Sequence, residues 1–366
     1  MLKLQKTGYR SKSLVSDVAL GVFDGIDNGL WCYGFAAIIF AGTLANFMPV
    51  MLIILMVGWA LVGLFTAVTS RVHVHLINMD EQAVVILSTI SALMVAKMGE
   101  NAADPMGLST MLAITSLTAL SVGLSFLLVG RFHLTRLLEL IPYPVICGFM
   151  AGIGWLLLQA GVGVAVDLPI SIELVKALAV PDNLARLATM LFGGIVLMLA
   201  ASRSKYPWSL PAAAFFILLV FYGIVSVMGY PRETLVENNW LFRVSDQSVS
   251  TQSLLAARSF LKIDVEFVFS VIPQILTITF LAMLSASMSL SAMIAGGHTE
   301  MNTAEEMQIA GTGNVFMGFL CCPPGYNDVT SSLLYSKFGA SSRWMPITSS
   351  LVTLLIAFVG SWLISW

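Results

Sequence analysis

The chain has 366 residues, of which 58% are apolar and only 10% are charged. Globular domains carry roughly a quarter charged residues, so this composition identifies an integral membrane protein with several spans. A formal net charge of −2 offers no basic surface for nucleic acid.

The N-terminus carries Lys3, Lys6, Arg10 and Lys12 but lacks the apolar core and cleavage site of a secretory signal. Residues 1–23 read as a cytoplasmic basic tail and amphipathic segment. Apolar runs of about 18–20 residues place spans at about 24–42, 46–69, 79–96, 107–130, 142–163, 186–202 and 207–229. These make a first membrane repeat over 24–229. A polar loop over 230–265 reads as extracytoplasmic. An incomplete second repeat over 266–366 follows, with spans at about 267–288, 306–322, 327–338 and 344–364. With the N-terminus inside, Arg71, Arg131, Arg136, Arg203, Lys205, Lys337 and Arg343 all fall on the cytoplasmic side, as the positive-inside rule requires.

Several stretches break the apolar pattern. Asp24, Asp27 and Asn28 open the first span; Asp24 reads as a helix cap at the interface, or Asp27 and Asn28 as neighbours of a polar cavity. His73 and His75 alternate and would share one face of an extended segment, yet no third metal ligand is evident. The third span starts with a polar cluster, Asn78, Asp80, Glu81 and Gln82. In the fifth, Gly148 and Gly152 have the spacing that lets membrane helices approach closely, and packing is the expectation there. The eighth ends in Ser285, Ser287, Ser289 and Ser291, which bond to backbone carbonyls or line a cavity. The four cysteines have no metal-site spacing, and the adjacent Cys321 and Cys322 are poorly placed for a disulfide. No cofactor motif or nucleophile–base pair points to an enzyme.

The strongest anomaly is residues 315–338. Pro323-Pro324-Gly325 interrupts an apolar run, and Tyr326, Asn327, Asp328, Thr330 and Ser331 follow. Proline removes backbone donors and disfavours helix in the residue before it, and Asp328 has the look of an N-cap for a new short helix. Broken membrane helices are tolerated only where protein or a water-filled cavity surrounds them, and transporters build binding sites from them. Asn78-Met79-Asp80 and Asn327-Asp328 each start a short helix after a disrupted segment. That is the pattern of two related halves meeting at one site.

Three segments carry a family resemblance. They are Pro142-Tyr143-Pro144-Val145-Ile146-Cys147-Gly148-Phe149-Met150-Ala151-Gly152, Glu306 through Asn314, and Pro324-Gly325-Tyr326 through Arg343. They resemble the SulP family of sulfate permeases and anion exchangers, of the bacterial type related to members carrying STAS or cyclic-nucleotide-binding domains. The resemblance implies an all-α polytopic fold of about fourteen spans in two inverted repeats, of which about eleven are present here. It also implies that short third and tenth spans face each other at the midplane with the substrate between their N-termini, and it hints at a homodimer. The chain is therefore expected to be part of a longer protein.

Two departures shape the functional expectation. Thr330 and Ser331 stand where many animal members have a Ser-Arg pair, and Ser287 stands where many members have an acid. The site then lacks a fixed cation but keeps acids elsewhere. The expectation is a secondary active transporter of a small sulfate-like or bicarbonate-like anion, coupled to H⁺ or Na⁺ in a bacterial inner membrane. Asn78, Gln82, Tyr326, Asn327, Thr330, Ser331 and Ser287 are candidates for substrate binding. Asp80, Glu81 and Asp328 are candidates for cation coupling, because ionised carboxylates beside an anion need neutralisation. The rivals are a membrane sensor or scaffold without flux, and a carrier of another small solute such as a nucleobase.

Overall fold

A computed structural model describes residues 14–134, 143–166, 172–203, 209–238, 240, 263–295 and 301–363. Most of the polar loop, His298 and the basic tail lie outside the described residues. Within the described residues each of the eleven predicted spans holds a helix. The helices are α1 (Leu14–Ile39), α2 (Met48–Thr69), α3 (Glu81–Met98), α4 (Pro105–Arg131), α5 (Tyr143–Val166), α6 (Ile172–Ala177), α7 (Pro181–Arg203), α8 (Ser209–Met228) and α9 (Arg232–Glu237). After them come α10 (Val265–Ser270), α11 (Ile272–Ala295), α12 (Thr303–Phe319), α13 (Val329–Phe338) and α14 (Trp344–Leu363). Short 3-10 turns cover Gly42–Phe47 and Gly99–Ala103. Five helical stretches are long and apolar enough to cross a membrane: Gly42–Thr69, Glu81–Met98, Pro105–Arg131, Pro181–Ala200 and Ile272–Ile294.

The chain divides into two compact units, one of residues 1–153 with 247–366, the other of residues 154–246, so the boundary falls inside α5. In the smaller unit Val162, Val166 and Leu174 form a core, with Leu187 and Met190 packed on it. Trp240 Nε1 donates to Asp182 Oδ1 at 2.7 Å.

In the larger unit α4 and α12 run antiparallel in backbone contact. A Cβ on Gly123 would lie 2.8 Å from the Val315 nitrogen and 2.9 Å from the Gly311 oxygen, and one on Gly311 would lie 2.8 Å from the Leu127 nitrogen. Glycine at both positions is what permits this approach. The Gly148–Gly152 stripe behaves otherwise. A Cβ on either glycine would meet nothing within 4 Å among the described residues, so the expected packing is not found there. Small-residue spacing permits close approach but does not supply a partner.

α1 and α14 lie side by side in the same direction, joined by polar contacts. The Ser341 nitrogen donates to Asp17 Oδ1 at 3.0 Å, Ser349 Oγ to Asp24 Oδ2 at 2.6 Å and Thr353 Oγ1 to the Gly25 oxygen at 3.2 Å. Asp24 is therefore a buried mid-helix residue and not the interfacial cap that the sequence suggested. The helix begins ten residues earlier, because Leu14–Phe23 continues it without a break.

Two four-residue strands, β1 (Leu76–Met79) and β2 (Gly325–Asp328), pair antiparallel with Leu76 opposite Asp328, Ile77 opposite Asn327, Asn78 opposite Tyr326 and Met79 opposite Gly325. α3 follows β1 and α13 follows β2, so the two interrupted segments meet through their backbones. The ribbon's ends and outer edge are also satisfied. The Asp80 nitrogen donates to the Pro324 oxygen at 2.9 Å, and the Leu76 nitrogen to Ser332 Oγ at 3.0 Å. Asn314, from α12, acts as a third strand. Its Oδ1 accepts from the Gly325 nitrogen at 2.8 Å while its Nδ2 donates to the Gly325 oxygen at 2.7 Å and the Ala310 oxygen at 2.9 Å.

Three outcomes test this packing. Leucine at Gly123 or Gly311 overpacks a backbone contact, which costs about 1–3 kcal/mol or more; thermal unfolding of the purified protein in detergent should show an earlier midpoint. Gly148→Leu should leave that midpoint within about 0.5 kcal/mol of the parent. Asn314→Asp replaces a donor by an acceptor facing the Gly325 oxygen, leaving buried groups unpaired at about 1–3 kcal/mol each. Hydrogen exchange of the amides in 325–328 should accelerate in that variant before global unfolding.

Candidate functional site

Each strand of the ribbon hands over to a helix through an aspartate. Asp80 Oδ1 accepts from the Gln82 nitrogen at 2.9 Å, and Asp328 Oδ1 from the Ser331 nitrogen at 3.0 Å. Both are N-caps that occupy orphan donors of a helix start. The cap expected at Asp328 is present, with a strand before it.

Strand alternation sorts the candidates onto two faces. Asn78, Tyr326 and Asp328 share one face with Leu76. On it Asn78 Nδ2 donates to Asp328 Oδ2 at 3.3 Å, and the Tyr326 hydroxyl makes a long 3.5 Å contact with Glu81 Oε2. Leu76 packs with Leu20 of α1 and Tyr335 of α13, so this face looks toward α1. Asp24, Asp27, Glu81 and Asp328 are close enough for their charges to interact. Among the described residues no lysine, arginine or histidine forms an ion pair with any of these acids or with Asp80.

Asn327 lies on the other face, with Ile77 and Met79, toward the main core. It is fully buried, and both its side-chain polar atoms lack a partner. The sequence grouped it with Tyr326 and Asp328; strand alternation sends neighbours to opposite sides, and a cap reading could not reveal this.

Gln82 Nε2 donates to Ser285 Oγ of α11 at 2.7 Å, which ties the start of α3 to the serine-rich helix. Ser287 is buried with its hydroxyl unpaired, and Asn78 Oδ1, Asp80 Oδ2 and Gln82 Oε1 are also buried and unpaired. Most buried polar atoms in proteins have partners, and several of the exceptions here lie on the residues around the two helix starts. Ser331 is half-buried and Thr330 is exposed; the buried hydroxyl of that turn is Ser332, which bonds the ribbon. His73 is exposed while His75 is buried, so the pair does not share surroundings, and His133 is exposed. Among the described residues no group of three or more His, Cys, Asp or Glu could hold a metal ion.

Sequence reasoning gave no role to Asn314 or Ser332, named Ser285 only within the serine run of the eighth span, and missed the buried place of Asp24. Asn314 carried a signal, since a lone amide deep in an apolar helix needs a partner. Ser285 carried one in the serine alternation of its span, and Ser332 carried none beyond composition.

The transmembrane domain of a cyanobacterium bicarbonate transporter, BicA, superposes with a TM-score of 0.63 at 18% identity, covering 97% of this chain and 84% of that one. The murine Slc26a9 anion transporter in its inward-facing state gives 0.63 at 14% identity, covering 96% and 57%. The vacuolar basic amino acid transporter VSB1 of Saccharomyces cerevisiae is 22% identical over 256 residues, 68% of this chain and 25% of that protein. The chain thus spans about a quarter of the length of this curated relative. The sulfate permease family model matches residues 36–366. The ribbon, its two helix starts and this match over most of the sequence make the chain a multi-pass membrane protein of the sulfate permease family.

Proposed function

We propose that the chain is the transporting part of a secondary active carrier for a small inorganic or carboxylate anion, sulfate-like or bicarbonate-like, working by alternating access. The observation that carries this reading is the ribbon, which brings two helix starts together amid buried polar atoms without partners. Family membership supports it, as does the fold shared with the transmembrane domain of a bicarbonate transporter.

In this proposal Asn78, Gln82, Tyr326, Asn327, Thr330, Ser331 and Ser287 contact the substrate as the carrier cycles. Asp80, Glu81 and Asp328 hold the coupling ion, H⁺ or Na⁺. Two like charges 4 Å apart repel by about 4 kcal/mol at an effective dielectric of about 20. An anion therefore enters this acidic surrounding in company with a cation. Inverted repeats, a homodimer and an inner membrane with the N-terminus cytoplasmic complete the proposal.

A second reading is a carrier of a cationic solute. The charge inventory favours it, since Asp24, Asp27, Glu81 and Asp328 cluster without a basic partner among the described residues. The yeast relative is a basic amino acid transporter, which points the same way.

Uptake of radiolabelled sulfate, bicarbonate and arginine into proteoliposomes separates the two. The anion reading expects saturable sulfate or bicarbonate uptake stimulated by an inward H⁺ or Na⁺ gradient, with the stimulation cut about tenfold, the equivalent of about 1.4 kcal/mol, in Asp328→Asn or Asp80→Asn. Arginine uptake with inert anions would install the second reading, and no uptake of any of the three would sink both. In addition, Asn78→Ala should raise KM about threefold to tenfold, the worth of one ordinary hydrogen bond, with the cation dependence intact.

A further inference from the structure

The segment leading into β1 holds a buried ionisable pair that the site described above does not use. His75 and Glu306 are 1% and 2% exposed. His75 Nδ1 lies 2.9 Å from Ser70 Oγ and 3.2 Å from Glu306 Oε2. Ser70 Oγ donates to Glu306 Oε1 at 2.9 Å and accepts from the Val72 nitrogen at 3.0 Å. The hydroxyl proton is thus committed to Glu306, and both groups facing Nδ1 are acceptors. That fixes a proton on Nδ1. The second ring nitrogen, Nε2, is buried and has no partner.

A histidine kept only for packing would have both nitrogens satisfied or its polar edge in water. Here one nitrogen is locked and the other is left open, with a carboxylate in reach to balance a positive ring. On the same side of the extended segment, two residues on, Ile77 pairs with Asn327, whose amide is also buried and unpaired. The surrounding charges are otherwise committed. Arg71 pairs with Glu305 at 3.0 Å at the surface, and Arg343 donates to the Val68 and Ser70 oxygens at 3.2 and 2.8 Å. Asp328 lies on the opposite face of the ribbon, His73 is exposed, and the described residues of α11 carry no ionisable group.

We propose that His75, Ser70 and Glu306 form a proton-binding site: a proton from water adds to the Nε2 lone pair, Glu306 supplies the counter-charge, and the state of the pair sets the position of β1. The donor is hydronium: one of its O–H bonds breaks as the Nε2–H bond forms, and water leaves. His75 is the residue before Leu76, whose nitrogen is bonded to Ser332, so a change at the ring passes directly into the ribbon and the start of α13. His75 is accordingly a positioning residue. Its influence on flux rests on the transporter reading above; the proton site itself does not.

The test has two arms. In the first, the other histidines are replaced (His73→Gln, His133→Gln, His298→Gln) and ¹⁵N-histidine spectra of the protein in nanodiscs are recorded from about pH 5 to about pH 9. His75 should show Nδ1 protonated throughout and Nε2 gaining a proton as pH falls. In Glu306→Gln the midpoint should move down by about one pH unit or more, because the balancing carboxylate is gone. An unchanging ring across the range, or a midpoint indifferent to Glu306, overturns the proposal. In the second, sulfate, bicarbonate and arginine uptake is followed against pH in His75→Asn, whose amide can still donate to Ser70 and Glu306 but cannot titrate. A pH profile flattened with KM unchanged supports the positioning role, and a profile identical to the parent overturns it. If no probe is carried by the parent protein, the transport reading has failed, and the spectra still decide the proton site.

Discussion

A helix interrupted inside a bilayer leaves backbone donors and acceptors that lipid cannot satisfy. This chain meets that constraint by pairing its two interruptions with each other. Residues 76–79 and 325–328 are far apart in sequence, yet each supplies the hydrogen-bond partners the other needs. Where the ladder runs out, specific groups extend it: the Pro324 oxygen at one end, Ser332 Oγ at the other, and the Asn314 amide along the outer edge of Gly325. The proline pair contributes by subtraction, since Pro323 and Pro324 have no N–H to leave unpaired. Much of the larger unit serves this arrangement. The glycine contact between α4 and α12 holds in place the helix that presents Asn314.

The ribbon also divides space. Its α1 side gathers Asp24, Asp27, Glu81 and Asp328 with two tyrosine hydroxyls, and its other side faces the apolar core with a single fully buried amide, Asn327. Ionised acids at such depth cost several kcal/mol unless paired or hydrated. Their retention without basic partners among the described residues therefore belongs to function more readily than to stability.

Much of this was legible before any coordinates. The helix starts at Asp80 and Asp328 are local statements, because a proline break followed by an aspartate dictates a cap within a few residues. The span positions follow from apolar run lengths for the same reason. What escaped was non-local. That Asn314 would serve as a strand for Gly325 depends on a helix crossing eleven residues upstream. That Asp24 lies mid-helix against Ser349 depends on contact across 325 positions of sequence. The partition of Asn327 from Asp328 turns on extended rather than helical backbone, and the two conformations send adjacent side chains in different directions.

The same geometry implies that the two faces are mechanically linked. A strand pair this short is rigid across its hydrogen bonds but has little else to anchor it, and isolated two-stranded ribbons are marginal. Its position is set by groups at its margins, namely Asn314, Ser332 and the turn from Ser70 to His75. Any event that shifts one margin moves Asn78 and Asp328 on the acidic side and Asn327 on the core side together, because they share one ladder. The two faces are therefore linked through one backbone. The carrier proposed above, which links a charge-balancing ion to a solute, needs a coupling of that kind, and in that proposal the shared backbone ladder supplies it without a long chain of side-chain contacts.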